Sequence, residues 1–167
     1  VILAAALIAV IMLFFLLLKL KIGAEEAEVT YNGFQFVNVN GLWQTEWQRD
    51  NQVYVLEFRH NPKEVGDIPV IGKTDIRFQL ENVYITFDAG EEQSTETAYV
   101  AVAAAELSRK LVTPFERNVI AACTSNQTSA CEGRETVTCE NTNSTVIYLK
   151  QAEETKIELK GNCAIVQ

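Results

Sequence analysis

The sequence predicts an α+β protein: an N-terminal apolar helix of transmembrane type, then an antiparallel β-meander, one βαβ-like unit and a C-terminal disulfide-bearing hairpin. Three observations predict it. Residues 1–18 are apolar without exception. Asn-Gly pairs at 32–33 and 40–41 separate runs of β-formers. Four cysteines, Cys123, Cys131, Cys139 and Cys163, fall in the last third. The chain divides into the helix at 1–22, a polar connector at 23–28 and an extracytoplasmic domain at 29–167.

The first element reads VILAAALIAVIMLFFLLLKLKI. A helix rises about 1.5 Å per residue, so 20 to 22 residues span roughly 30 Å of hydrocarbon. A core helix of that length normally keeps a polar face. A secretory signal has an apolar stretch of about 7 to 15 residues and a small-residue cleavage site. Here the run ends in Leu18-Lys19-Leu20-Lys21, with no such site before Glu25. The expectation is an uncleaved, single-pass anchor in the cell membrane, its partners being lipid or the helices of sister chains in a homo-oligomer. The chain opens on Val1, inside the apolar run. Either residues were removed ahead of it or the sequence is a piece of a longer one.

About 145 residues follow Ile22, enough for one domain with its own core. The chain has 14 basic and 22 acidic residues and a formal charge of −8. Leaving out Lys19 and Lys21 gives 12 against 22, so the domain carries about −10. Such a charge argues against a nucleic-acid surface and against docking on anionic lipid, and it favours solubility. No glycine-rich phosphate loop is present, and no cofactor is expected.

The cysteines decide which side of the membrane the domain occupies. Zinc sites use closely paired knuckles, whereas here the gaps are seven, seven and 23 residues. Two disulfides are expected, with three possible pairings. Short loops close at low entropic cost, which favours Cys123–Cys131 and Cys139–Cys163. Two glycosylation sequons stand beside them, Asn126-Gln127-Thr128 and Asn143-Ser144-Thr145, in polar stretches. Together they place the domain in an oxidising, extracytoplasmic setting. Lys19 and Lys21 point the other way, since basic flanks normally stay inside. The acidic segment Ala24-Glu25-Glu26-Ala27-Glu28 follows at once.

In the domain, Val29-Thr30-Tyr31 leads through Asn32-Gly33 into Phe34-Gln35-Phe36-Val37. Asn-Gly between alternating apolar residues is the strongest short hairpin signal. Asn40-Gly41 repeats it, and Leu42-Trp43-Gln44-Thr45-Glu46-Trp47 turns at Arg49-Asp50-Asn51 into 53–58. Phe34, Phe36, Trp43, Trp47, Tyr54 and Phe58 supply the packing of this meander. Asn61 caps a short helical turn that starts with Pro62. Pro69 and Gly72 break the chain, and alternation predicts strands at 75–80 and 83–87. A helix is expected over 95–112, capped by Ser94 or Thr95, with a stripe of Val100, Ala103, Ala104, Leu107 and Leu111. Arg109 and Lys110 suit its C-terminal end, and Pro114 stops it. A strand at 119–122 completes the βαβ-like unit. A cysteine-rich loop follows, then a hairpin of 146–149 with 156–159, and a further strand from Cys163.

Chemistry is sparse. His60, the only histidine, sits where a strand meets a capped turn, a structural position. Asp88 ends a strand, and with Glu91 and Glu92 it offers oxygen ligands at a strand's carboxyl end, without EF-hand spacing. A solvated acidic loop is the simpler reading. Trp43 and Trp47 share a strand face, where burial is favoured over sugar or partner binding. No catalytic residue and no metal ligand is assigned.

Several stretches act together as a resemblance: Tyr31-Asn32-Gly33-Phe34-Gln35-Phe36, the Trp43 strand, Phe58-Arg59-His60-Asn61-Pro62-Lys63-Glu64-Val65, Ala105-Glu106-Leu107-Ser108, and the region from Ala122-Cys123 to Asn162-Cys163. In these the chain resembles a group of uncharacterised archaeal proteins that are membrane-anchored by a single span and carry an extracytoplasmic, cysteine-containing domain. The resemblance implies no activity. It implies a chain that continues past Cys163 and is cut at both ends.

The function expected is a non-catalytic binding or cell-envelope role. Two alternatives stand beside it. One is a pilin-like filament subunit, with helix 1–22 in the filament core, although this helix lacks a long amphipathic continuation and an acidic residue in its first 18 positions. The other is an extracytoplasmic enzyme using carboxylates around Asp88.

Overall fold

The computed structural model describes residues 11–12, 27–88 and 95–167, with backbone alone at Thr95 and Glu96. The apolar helix predicted at 1–22 lies outside the described residues except for Ile11 and Met12, as do most of the connector, Ser94, Glu91 and Glu92. Among the described residues, no helix is long and apolar enough to cross a membrane. The domain is α+β, with one antiparallel sheet, one mixed sheet and two disulfides.

The antiparallel sheet is a four-stranded meander in sequence order: β1 (Glu28–Tyr31), β2 (Phe34–Val39), β3 (Leu42–Arg49) and β4 (Gln52–Phe58). Its three connections are two-residue turns with both central residues at positive φ: Asn32-Gly33 (49°, 82°), Asn40-Gly41 (53°, 86°) and Asp50-Asn51 (46°, 65°). That geometry twists in the same sense as the strands, which is why it closes hairpins. Strand alternation then puts Phe34 and Phe36 on one face with Trp43, Thr45, Trp47, Tyr54, Leu56 and Phe58. Phe36 and Trp43 are buried on this face. Trp47 stacks on Phe34 with ring centroids 6.0 Å apart, and it also meets Phe115 at 5.3 Å.

The mixed sheet has seven strands in the order β5-β10-β11-β9-β6-β7-β8. They are β5 (Val70–Thr74), β6 (Asn82–Phe87), β7 (Asn118–Cys123), β8 (Glu135–Thr136), β9 (Thr145–Leu149), β10 (Ile157–Gly161) and β11 (Cys163–Val166). Helix α1 (Thr95–Val112) joins the parallel neighbours β6 and β7, so the βαβ unit is present. It packs against both of these strands.

One face of this sheet is covered by the cysteine-rich chain between β7 and β9. Ala122 of β7, Val146 of β9 and Cys163 of β11 enclose Val137 of that loop, and all four are buried. The buried Thr86 hydroxyl donates to the Val137 carbonyl (2.8 Å), and the Tyr84 hydroxyl donates to Glu135 (3.1 Å). The disulfides join Cys123 to Cys131 and Cys139 to Cys163. The second ties the loop to the middle of the sheet.

Two elements differ from the sequence expectation. The segment 75–80 is not a strand. The strand is β5, just before it, and 76–79 form a 3₁₀ turn. Asp75 accepts from the backbone N–H of Arg77 (2.9 Å) and from its guanidinium (2.6 Å), a local closure that competes with a sheet ladder. Gly72, read as a breaker, is a strand residue at φ 90°, and a Cβ there would collide with the Leu159 carbonyl of β10. The C-terminal hairpin also differs. β9 and β10 do not pair; β11 lies between them, antiparallel to β10 and parallel to β9. The cause is Asn162 at the β10–β11 turn. Its side-chain amide donates to the carbonyls of Thr142 (3.0 Å) and Ser144 (2.7 Å), and its own carbonyl accepts from Val146 N–H (2.9 Å). This fixes the start of β11 beside the start of β9 and leaves β10 outside.

Replacing both Cys139 and Cys163 by serine opens a loop with a sequence separation of 24. The expected loss is about 3 kcal/mol of unfolding free energy from chain entropy, read as a lower urea midpoint.

Candidate functional site

His60 belongs to a capped turn. Asn61 Oδ1 accepts from the N–H groups of Lys63 (2.9 Å) and Glu64 (3.2 Å). The Glu64 carboxylate reaches back to Asn61 N–H (3.3 Å) and Nδ2 (2.8 Å), the reciprocal arrangement of a capping box. His60 Nδ1 lies 3.2 Å from the same carboxylate, with the ring in solvent. Asp88 follows β6 near Tyr148, where burial first and the Asp88 charge second hold the phenol above its ordinary range. Glu91 and Glu92 lie outside the described residues. No group of three or more metal-ligating side chains is present among the described residues.

The two sequons have different surroundings. Asn126 is exposed on a bend within the loop closed by Cys123 and Cys131. Asn143 is exposed too, but its Oδ1 accepts from the Arg77 guanidinium (3.3 Å). The Thr145 hydroxyl of that sequon is buried and donates to the Arg77 carbonyl (3.0 Å).

Trp43 and Trp47 do share a face, and it is the packed one. The feature that sequence reasoning missed lies beside it, between β4 and the last turns of α1. Four contacts hold the helix end there. Arg59 donates twice to Glu106, from Nε (3.0 Å) and Nη2 (2.6 Å). Lys110 Nζ stands 5.4 Å from the Phe58 ring centre, Trp47 meets Phe115, and Arg49 pairs with Glu116 at 2.7 Å. Glu106 and Lys110 are one helical turn apart, so both face the meander. Pro114 is buried and ends the helix.

Between these contacts runs a cleft of about 220 Å³, lined by Tyr54, Val55, Leu56 and Glu57 on one wall and by Arg109, Lys110, Thr113 and Pro114 on the other. A second hollow of about 120 Å³ continues past Leu42 to Arg59 and Glu106. On the meander's other face a shallow trough of about 440 Å³ is lined mainly by Gln35, Val37, Gln44, Glu46 and Val55. The cleft and the hollow together bring Arg59, Arg109 and Lys110 near two carboxylates, Glu57 and Glu106, whereas the trough offers amides and a carboxylate. Arg109 and Lys110 were legible only as residues suited to a helix C-terminus. That β4 ends a sheet is a property of strand order, which no local pattern in the sequence carries.

No family model matches this chain, and no curated protein and no solved structure is similar to it.

The Arg59 guanidinium holds the Glu106 carboxyl below the ordinary glutamate range, against a smaller opposing effect of burial. A carboxylate whose folded pKa is lowered stabilises the fold above its unfolded pKa, and that gain is lost as pH falls through the folded value. The Arg59 and Glu106 side chains are 66% and 32% exposed, so the gain is no more than about 1 kcal/mol. Comparing the wild type with Glu106→Gln by urea unfolding is expected to show a difference at neutral pH that shrinks progressively as pH falls below the ordinary glutamate range of about 4.3.

Proposed function

We propose that this chain is a single-pass, membrane-anchored protein of the cell envelope, whose domain stands outside the cytoplasm and works by binding rather than catalysis. The observation that carries the reading is the place of the disulfides. Cys123, Cys131 and Cys163 are each 1% exposed or less, inside the packed core. Cytoplasmic glutathione and thioredoxin keep thiols reduced, so a core built on two disulfides fits an oxidising compartment. The uninterrupted apolar run at 1–18 is long enough, with residues 19–22, to serve as the anchor. The exposed side chain of Asn126 fits a sugar acceptor on an outer surface. The resemblance to single-span archaeal proteins agrees with this outline. A binding role is favoured by the cleft along β4, which offers an apolar wall at Val55 and Leu56, a free strand edge and the positive charges of Arg109 and Lys110.

Fractionation of cells making the full chain tests the reading. The protein is expected to sediment with membranes, to resist alkaline carbonate, and to be cut by protease added to intact cells. Asn126→Gln is expected to migrate faster through loss of a glycan. Protection from protease until the cells are lysed would put the domain inside and overturn the proposal. Release by mechanical shearing as a polymer would favour the filament instead.

A further inference from the structure

We infer that the cleft between β4 and the end of α1 takes an extended acidic peptide of another protein, which adds to the meander as a fifth strand. The inference rests on the binding role proposed above and not on the anchor. It starts from the backbone. β4 is an edge strand, paired on one side to β3 through seven unbroken residue pairs from Trp43–Phe58 to Arg49–Gln52. A two-residue turn closes this hairpin, so Arg49 and Gln52 form a hydrogen-bonded pair, and such pairs alternate along the ladder. Gln52, Tyr54, Leu56 and Phe58 therefore bond inward. Val53, Val55 and Glu57 turn their N–H and C=O groups outward, and none of these bonds another backbone group among the described residues.

Sheet edges are blocked by proline, by a lysine pointed inward, by a bulge or by a covering helix or loop, and here the end of α1 stands beside β4 across the cleft of about 220 Å³ rather than against it. β4, with the sequence QVYVLEF and an unbroken register, has none of these. Val53 and Val55 are also more than half exposed, at 52% and 57%. An added strand would lay alternate side chains over these valines and into the cleft beside Tyr54, Leu56 and Thr113.

Charge selects the occupant. Arg109 makes no ion pair among the described residues, and Lys110 sits over an aromatic ring rather than on a carboxylate. Two carboxylates share the lining: Glu106, whose charge Arg59 offsets, and Glu57, which accepts from the neutral Gln44 amide (2.9 Å) and keeps its negative charge, so three cations stand against two anions. A partner segment with Asp or Glu at alternate positions meets this wall with opposite charge. A second copy pairing edge to edge would bring the same basic wall against itself, which disfavours self-association here.

The test uses the full chain in detergent micelles and fluorescein-labelled heptapeptides of alternating valine with glutamate or with lysine. The glutamate peptide is expected to bind at least about tenfold more tightly than the lysine peptide, with affinity falling as salt rises. Arg109→Glu with Lys110→Glu is expected to remove that preference. Val55→Pro deletes an outward N–H and leaves the ladder to β3 intact, since proline is tolerated at such edge positions. It is expected to weaken the peptide about tenfold or more, with the melting temperature tracking whether the fold survives. Amide exchange at Val53, Val55 and Glu57 is expected to slow when the glutamate peptide is bound. Equal affinity for both peptides, or exchange at those three amides unchanged by peptide, would overturn the inference. Slowing that depends on protein concentration without peptide would also overturn it, in favour of a second copy. Because fractionation reads the anchor alone, that part of the function stands or falls separately.

Discussion

The mixed sheet depends on a covering that has almost no regular structure of its own. Between β7 and β9 the chain makes only one 3₁₀ turn (Ser129–Cys131) and the two-residue β8. Yet this segment closes one face of the sheet, with Val137 against Ala122, Val146 and Cys163. Ordering such a loop costs about 1–2 kcal/mol per residue in backbone entropy alone. Three kinds of tie offset that cost: the two disulfides, the buried hydrogen bond from Thr86 to the Val137 carbonyl, and the apolar burial of Val137 itself. The Cys139–Cys163 bond acts at the central place, because Cys163 opens β11 and β11 holds β9 and β10 together.

The meander is built on different terms. Its pairings are local, its turns are set by Asn-Gly and Asp-Asn dihedrals, and its aromatic face is continuous along three strands. It meets the rest of the domain through a few contacts around the end of α1: Trp47 on Phe115, Arg49 with Glu116, Arg59 with Glu106 and Lys110 over Phe58. Most of these are polar and partly exposed, so they orient the helix end more than they bury it. The consequence is a groove, with β4 left open along one side and cations along the other.

What the sequence made legible was local. The meander and its turns could be read because dihedral preference and alternation agree within a few residues. The capped turn at Asn61 and the helix over 95–112 could be read for the same reason, and the parallel pairing of the flanking strands followed from their connection through that helix. What stayed hidden was set at a distance. Asn162 places β11 next to β9 through bonds to Thr142 and Ser144, so a hairpin read from neighbouring strands goes to the wrong partner. Gly72 looks like a break but is needed where β5 runs close under the Leu159 carbonyl. Ile76, Phe78 and Leu80 alternate like a strand, while Asp75 and Arg77 fold on each other and make a turn. The cleft combines the edge status of β4 with the end of α1, and neither alone marks a site.

The disulfide-closed loop covers one face of the mixed sheet, so the order of that face depends on the two disulfides. Native-state amide exchange on the oxidised and the reduced protein tests it most directly. Reduction is expected to speed exchange together at Tyr84, Thr86, Val146 and Ile165, while Gln44 and Glu46 in the meander keep their protection. Unchanged protection across the mixed sheet after both disulfides are reduced would contradict it.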